Sequence, residues 1–170
     1  MNPYIPIHFA SETVEVPHVL SREELKGLFE AIDAYMPSQL RFRRLVPAYQ
    51  VLFRLFYCCG LRLAEACYLR RSCVDMKKGT FKILQSKGDK DRLVFLADDV
   101  LEMCRKYDAR MQVITPNREW FFPGRHHDRP IRKHSVDKKF GEFWNKTSFA
   151  GKVDKKPTVH CLRHTFVVDK

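Results

Sequence analysis

The sequence predicts a mainly helical α+β domain with one small antiparallel β-sheet. Apolar residues recur at helical spacing over most of the 170 residues, and the period changes to strand-like alternation only near residues 80–96. Hydrophobic residues make up 45% of the chain and aromatic residues 12%. Such a chain can bury enough apolar surface to offset the entropy lost on ordering. We therefore expect one folded domain of ordinary size.

The N-terminal elements can be read from local signals. Residues 1–18 contain three prolines and scattered apolar residues, which is typical of an extended interdomain linker, so the domain is expected to span 19–170. Ser21 and Glu24 form a capping box that begins an amphipathic helix, and this helix should end before Pro37.

A central helix and a tight corner follow. Residues 40–59 are apolar on several faces, which predicts a buried helix, and Pro47 either kinks it or marks its true start. Gly60 is suited to the C-terminal cap. A short second helix then carries Arg62 and Glu65, three residues apart on one face.

The second half of the chain predicts a hairpin, a strand and three helices. Residues 80–96 read as a β-hairpin around a turn at residues 86–91, and residues 120–122 read as a short additional strand. Helices are expected over 98–111 and 134–146, with a basic loop over 125–133 between them. A last helix should begin after Pro157, with Thr158 as its N-cap.

The charge and cysteine content restrict the class of partner and the compartment. The net charge is +11, and residues 1–40 hold two basic against six acidic residues, so the positive excess lies in residues 41–170. This favours a nucleic-acid partner, although solvated lysine faces would give the same total. Six cysteines without a C-x-x-C pair read as reduced core residues. We find no signal peptide and no apolar run long enough to enter a membrane, so we expect a cytoplasmic protein.

Two helices carry cations near their N-termini, where the helix dipole disfavours positive charge. One is the helix at Arg62. The other holds His160 and Arg163, and we expect both of these residues in its first turn. This arrangement makes sense if the two helices together hold a phosphate, because a guanidinium group binds two phosphate oxygens at once. His160, Arg163 and His164 fall on one helical face, which taken alone is more often a solvated surface.

Three stretches, in this order, resemble the signature of the tyrosine recombinase (phage integrase) family. They are Gly60-Leu61-Arg62-Leu63-Ala64-Glu65, the hairpin sequence Ser86-Lys87-Gly88-Asp89-Lys90-Asp91-Arg92, and His160-Cys161-Leu162-Arg163-His164-Thr165-Phe166. The resemblance covers about residues 18–170. It implies an integrase-like catalytic core that binds double-stranded DNA, works as a homotetramer on DNA and recombines DNA through a 3′-phosphotyrosyl intermediate, in a protein of bacterial or phage origin.

The resemblance also assigns roles to individual residues. Arg62 and Arg163 would hold the scissile phosphate, Glu65 would support the first arginine, and His160 would transfer a proton or donate a hydrogen bond. Lys87 would protonate the leaving 5′ oxygen, with Lys90 or neither lysine as alternatives. These roles suit a reaction that builds charge on phosphate oxygens and expels an alkoxide, and no metal or other cofactor is expected. Seven further residues are candidate DNA contacts: Lys90, Arg92, Arg125, Arg129, Arg132, Lys133 and Lys138.

The chain departs from the family pattern at two places. Cys161 stands where the family has Asp or a similar residue, a change expected to affect packing more than chemistry. All six tyrosines lie upstream of His160, so none occupies the motif position of the nucleophile. We therefore expect a chain cut short before the nucleophile, without the N-terminal core-binding domain, and inactive by itself.

Three other interpretations fit parts of the sequence. His160 and His164, with Cys161 and the histidines of the 125–133 loop, could form a zinc site, but Arg163 between them would repel a cation. A noncatalytic DNA-binding or regulatory module with the same fold would use its arginines only to hold backbone phosphates. A type IB topoisomerase shares the Arg, Lys and Tyr chemistry, but the Gly-Leu-Arg corner and the His-x-Leu-Arg-His-Thr stretch favour the recombinase.

Overall fold

A computed structural model of the chain describes residues 18–86 and 90–169, so almost all of the expected linker lies outside the described residues. Within these ranges the chain forms six α-helices and three strands. The helices are α1 (Arg22–Asp33), α2 (Val46–Cys59), α3 (Leu63–Cys67), α4 (Asp98–Ile114), α5 (Lys133–Trp144) and α6 (Val159–Val168). The strands are β1 (Val74–Asp75), β2 (Thr80–Ser86) and β3 (Lys90–Phe95). The predicted mainly helical α+β class is confirmed.

Helix α1 begins at the predicted capping box. The Glu24 backbone N–H donates to Ser21 Oγ at 3.1 Å, and the Ser21 N–H donates to Glu24 Oε2 at 2.8 Å. These two bonds satisfy donors that the first helical turn leaves without partners. The buried face of α1 carries Leu25, Leu28 and Ile32, and the helix ends before Pro37 as expected.

Helix α2 is the centre of the domain. Its buried residues lie on several faces, from Ala48 to Phe56, and it packs against α1, α4 and α6. Pro47 lies in its first turn, so the proline marks the start of the helix rather than a kink. The residues before it, Leu40–Leu45, form a separate 3-10 helix.

The sheet has the predicted hairpin but a different third strand. The strand order is β1-β2-β3 and both pairings are antiparallel, with Phe81 opposite both Val74 and Val94. The expectation of a strand near 120–122 is wrong, because Trp120 forms only an isolated bridge with Arg70. Phe121 and Phe122 are fully buried against Tyr107 of α4. The apolar run at 120–122 therefore reflects core packing, which periodicity alone does not distinguish from a strand.

The C-terminal helices complete the core by packing against α2. Helix α4 runs to Ile114, three residues past the predicted end, and α6 begins directly after Thr158 as predicted. Phe53 of α2 packs edge-on against Phe143 of α5, with ring centroids 5.7 Å apart. All six cysteines are free thiols and are buried or half-buried. No described helix combines the length and the apolar character needed to cross a membrane.

Candidate active site

The corner between α2 and α3 is tied directly to α6. Gly60 ends α2 with a left-handed φ of 58°, a conformation that glycine adopts without steric cost. Its carbonyl oxygen accepts a hydrogen bond from Arg163 Nη1 of α6. A Cβ atom on Gly60 would lie 2.4 Å from a ring carbon of Phe166, one turn farther along α6. Glycine is therefore required here both by its φ and by the close approach of α6.

Arg62 is held by Glu65 at the same corner. Arg62 is the N-cap residue of α3, and its backbone N–H donates to Glu65 Oε2 at 2.8 Å. Its guanidinium Nη1 donates to Glu65 Oε1, also at 2.8 Å. The Glu65 side chain is 7% exposed and that of Arg62 is 39% exposed. The carboxylate is thus buried beneath an arginine that still faces solvent.

Arg92 of β3 makes a third contact with this carboxylate. Its Nη2 donates to Glu65 Oε2 at 2.7 Å. Sequence reasoning named Arg92 only as a DNA contact and missed this pairing, because the two residues lie 27 positions apart in different elements. The structure therefore gathers Arg62, Arg92 and Arg163 around Glu65 and the Gly60 carbonyl.

The charges of this cluster influence one another. Partial burial lowers the pKa of Arg163, and the positive charges of Arg62 and Arg92 lower it further, against the opposing effect of Glu65. Burial alone would raise the pKa of Glu65, but hydrogen bonds from the Arg62 backbone, Arg92 and the Arg62 side chain outweigh it and the pKa is lowered. The guanidinium groups of Arg62 and Arg92 thus share one ionised carboxylate, and Arg163 adds a third positive charge beside them. The uncompensated positive charge can bind a tetrahedral anion such as a phosphate.

Helix α6 supplies the remaining predicted site residues. His160 is its second residue and is exposed, while Arg163 is its fifth residue and half-buried. The expectation that both stand in the first helical turn is therefore wrong for Arg163. Cys161 is 6% exposed, and its Sγ accepts a hydrogen bond from the Thr158 backbone N–H at 3.4 Å. This contact at the start of α6 is consistent with a packing role for Cys161.

The lysines predicted for the hairpin cannot be placed beside the arginines. Lys87 lies outside the described residues, as does the side chain of Lys90, whose backbone begins β3. Their assignment as proton donor stays a prediction. Strand β3 nevertheless brings the hairpin to the cluster, because Arg92, two residues after Lys90, donates a hydrogen bond to Glu65.

The other candidate contacts lie along a second, basic surface. A groove of about 510 Å³ opens between the 3-10 helix, the 124–132 segment and α5. Its lining includes Arg125, Arg129, Arg132 and Lys138, all of which are exposed. Lys133 points to the aromatic ring of Tyr68 instead, with Nζ 6.0 Å from the ring centroid.

Arg44 positions this basic surface and was missed from the sequence. Its Nη2 donates to the carbonyl oxygen of Gly124 at 2.8 Å and also bonds the carbonyl of Arg125. The 124–130 turn is closed further by Gly124 N–H, which donates to Arg129 O at 2.8 Å. Arg44 belongs to the stretch Arg41-Phe42-Arg43-Arg44. Three arginines among aliphatic and aromatic residues were the sequence signal that could have identified it.

Among described residues, no three His, Cys, Asp or Glu side chains lie together in a way that could hold a metal ion. The chemistry that the structure supports here is that of guanidinium groups on an anion. The fold and this cluster define a helical domain, with a small sheet, whose arginines converge from α3, β3 and α6 on one partly exposed corner.

Comparison with known proteins identifies the family. Residues 18–169 match the model of the phage integrase family, and the chain belongs to that family. A putative integrase/recombinase, y4qK, from Sinorhizobium fredii is 35% identical over 112 residues, which cover 66% of this chain and 34% of the relative. The tyrosine recombinase XerC of Halalkalibacterium halodurans is 26% identical over 97% of this chain and 52% of its own length.

A solved structure gives the same result for the fold. The XerH site-specific recombinase bound to palindromic difH substrate, in a post-cleavage complex, superposes with a TM-score of 0.69 at 25% identity. The match covers 89% of this chain and 41% of that protein. The chain thus spans about half or less of the length of the relatives it matches.

Proposed function

We propose that this chain is the DNA-binding catalytic core of a site-specific tyrosine recombinase. The observation that carries the proposal is the convergence of Arg62 and Arg163 at the Gly60 corner, from helices about one hundred residues apart in sequence. Family membership supplies the reaction class. The geometry supplies two cationic side chains that can hold one phosphate between them.

The proposed reaction is a transesterification of the DNA backbone. A tyrosine hydroxyl loses its proton and its oxygen forms a bond to the scissile phosphorus, while the bond from phosphorus to the 5′ oxygen breaks and this oxygen takes up a proton. A 3′-phosphotyrosyl linkage and a free 5′ hydroxyl result. The bond count at phosphorus is conserved, so the 5′ hydroxyl of a partner strand can reverse the step. The proposal assigns the nucleophile to none of the six tyrosines in this chain.

Each site residue has a separate part in this step. Arg62 and Arg163 stabilise the charge that develops on the nonbridging oxygens, and Glu65 orients Arg62 through two hydrogen bonds. His160, exposed on the same helix as Arg163, hydrogen-bonds the phosphate or transfers a proton. Lys87 protonates the leaving 5′ oxygen.

The basic groove would position the duplex. Arg125, Arg129, Arg132 and Lys138 are exposed along it, and such residues hold backbone phosphates without reading sequence. We also propose that the complete gene product acts as a tetramer on DNA, which the mass of the protein–DNA complex would test. Duplex binding by the 170-residue chain should weaken steeply as salt concentration rises.

The central experiment is cleavage by the complete gene product, followed as a covalent protein–DNA adduct on a denaturing gel. Arg62→Ala and Arg163→Ala should each slow adduct formation by about 10²- to 10³-fold, as removal of one donor to a developing oxyanion does. Because many other cations contact the backbone, DNA binding should largely survive. Arg110→Ala, which removes an exposed charge on α4, is the matched control and should leave the rate unchanged. Normal cleavage by either site variant would refute the assignment.

The leaving-group assignment has its own test. Lys87→Ala should slow cleavage of normal DNA, and a substrate with sulfur at the 5′ bridging position should restore the rate, since a thiolate leaves without a proton. Restoration in Lys90→Ala but not in Lys87→Ala would transfer the role to Lys90. Duplex binding without cleavage by the complete wild-type protein would support the noncatalytic module instead.

A further inference from the structure

We propose that Arg92 is a positioning residue, which fixes Arg62 through Glu65 and links the arginine site to the β2–β3 hairpin, rather than a contact to DNA. The proposal deepens the function proposed above and rests on it. It is an alternative to the expectation from the sequence that Arg92 binds the DNA backbone.

The hydrogen bonds of Glu65 carry the proposal. Oε2 accepts from Arg92 Nη2 at 2.7 Å and from the Arg62 backbone N–H at 2.8 Å. Oε1 accepts from Arg62 Nη1 at 2.8 Å. Both carboxylate oxygens are therefore engaged, and the side chain that carries them is 7% exposed. Removing Arg92 would leave one buried oxygen with a single partner and free the carboxylate to rotate away from Arg62.

The burial of Arg92 argues against a role in DNA binding. Its Nε is buried and has no hydrogen-bond partner among the described residues, so this nitrogen does not face solvent. Because Nε is buried and Nη2 donates to Glu65, the fork of these two nitrogens could hold a phosphate only if the guanidinium group released Glu65 and left a buried carboxylate with one cation fewer. Breaking a buried ion pair in this way is costly. Arg125 and Arg132, by contrast, are exposed and can contact DNA without such a loss.

Because Arg92 lies in β3, its hydrogen bond to Glu65 depends on how β3 pairs with β2. Arg92 pairs with Ile83 of β2, and the pairing is irregular between Ile83 and Ser86, directly before the turn. A slip of β3 by one residue would turn Arg92 to the opposite face of the sheet and remove the bond to Glu65. The bond therefore requires one register of the hairpin that carries Lys87. Arg92 thus sets the hairpin and Arg62 relative to each other.

The first test measures the Glu65 carboxyl group in the 170-residue chain without DNA. NMR titration of Glu65 should show a higher pKa in Arg92→Gln than in the wild type, because a hydrogen bond and a positive charge to the carboxylate are lost. The Nε–H signal of Arg62 should shift or broaden in the same variant. Arg132→Gln removes an equal charge from the exposed groove and should change neither signal.

The second test uses the salt dependence of binding to a short duplex. Each phosphate contact contributes about 0.9 to the slope of log K against log salt concentration. Arg132→Gln should therefore reduce the slope by about 0.9, whereas Arg92→Gln should leave it unchanged. A reduced slope in Arg92→Gln, or an unchanged Glu65 pKa, overturns the proposal.

The conservative variant Arg92→Lys keeps the proposal testable if Arg92→Gln does not fold. Arg92→Lys keeps the positive charge and can donate one hydrogen bond, so its Glu65 pKa should lie between those of the wild type and Arg92→Gln. If Arg92→Gln does not fold, the same two criteria apply to Arg92→Lys. If the wild-type chain binds no DNA, the proposed function fails, and the Glu65 titration still decides whether Arg92 positions the carboxylate.

Discussion

Replacement of Gly60 by alanine tests how the α2–α3 corner is joined to α6. The φ of 58° costs an alanine about 1 to 2 kcal/mol. The new Cβ would lie 2.4 and 2.6 Å from two ring carbons of Phe166, so α6 or the ring must move, at about 1 to 3 kcal/mol for such overpacking. Together these effects predict a loss of about 2 to 5 kcal/mol, and a melting temperature lower by about 4 to 20 °C for a chain of this size.

Gly151 provides the matched control for this measurement. It also has a positive φ, of 74°, but no described atom lies within 4 Å of the position that a Cβ would take, so Gly151→Ala should lose only the backbone contribution. Calorimetry of both variants separates the steric effect from the conformational one. In a Phe166→Ala background, Gly60→Ala should cost no more than Gly151→Ala does, because the ring is gone. If Gly60→Ala and Gly151→Ala destabilise the wild-type chain equally, the proposed close approach of α6 to the corner is refuted.

Three further predictions concern other buried polar groups. Asp108→Asn should destabilise the chain by about 3 kcal/mol in urea unfolding, because the fully buried side chain of Arg118 loses its charged partner. Thr165→Val should cost about 1 to 3 kcal/mol, because the buried Leu20 N–H donates to Thr165 Oγ1 at 2.9 Å. The lowered pKa of Glu65 means that its ionisation stabilises the fold above the pKa of the unfolded carboxyl, and that this contribution disappears as the pH falls through the folded pKa. Thermal unfolding of Glu65→Gln should therefore depend less on acid pH than that of the wild type.

The elements that the sequence predicts well are those fixed by neighbouring residues. The capping box at Ser21, the left-handed cap at Gly60 and the N-cap at Thr158 each depend on groups within a few positions, so spacing reveals them. The third strand was misplaced because pairing of β1 with β2 depends on packing between residues that no local pattern specifies. The family resemblance named Arg62 and Arg163, but it did not reveal the hydrogen bond from Arg163 to the Gly60 carbonyl, which brings Arg163 to the corner that holds Arg62.

The contact between Arg92 and Glu65 shows why a charged residue cannot be assigned from its type alone. In the sequence, Arg92 and Arg132 are both basic residues within basic stretches, and both were expected to contact DNA. In the structure Arg92 donates a hydrogen bond to a buried carboxylate, whereas Arg132 lines an open groove. Hydrogen-bond partners distinguish them, and these partners depend on which elements the fold brings together.

The charge balance of the corner connects its stability to its chemistry. Glu65 makes Arg62 acceptable at the N-cap of α3, where a lone cation would be disfavoured, and it lets Arg92 lie partly buried. It cannot neutralise Arg163 as well, whose hydrogen-bond acceptor among the described residues is the neutral carbonyl of Gly60. A corner selected only for stability would gain from a second carboxylate. Leaving that positive charge uncompensated is disadvantageous to the free protein and favourable once an anion is bound, which is the property that a phosphate-holding site requires.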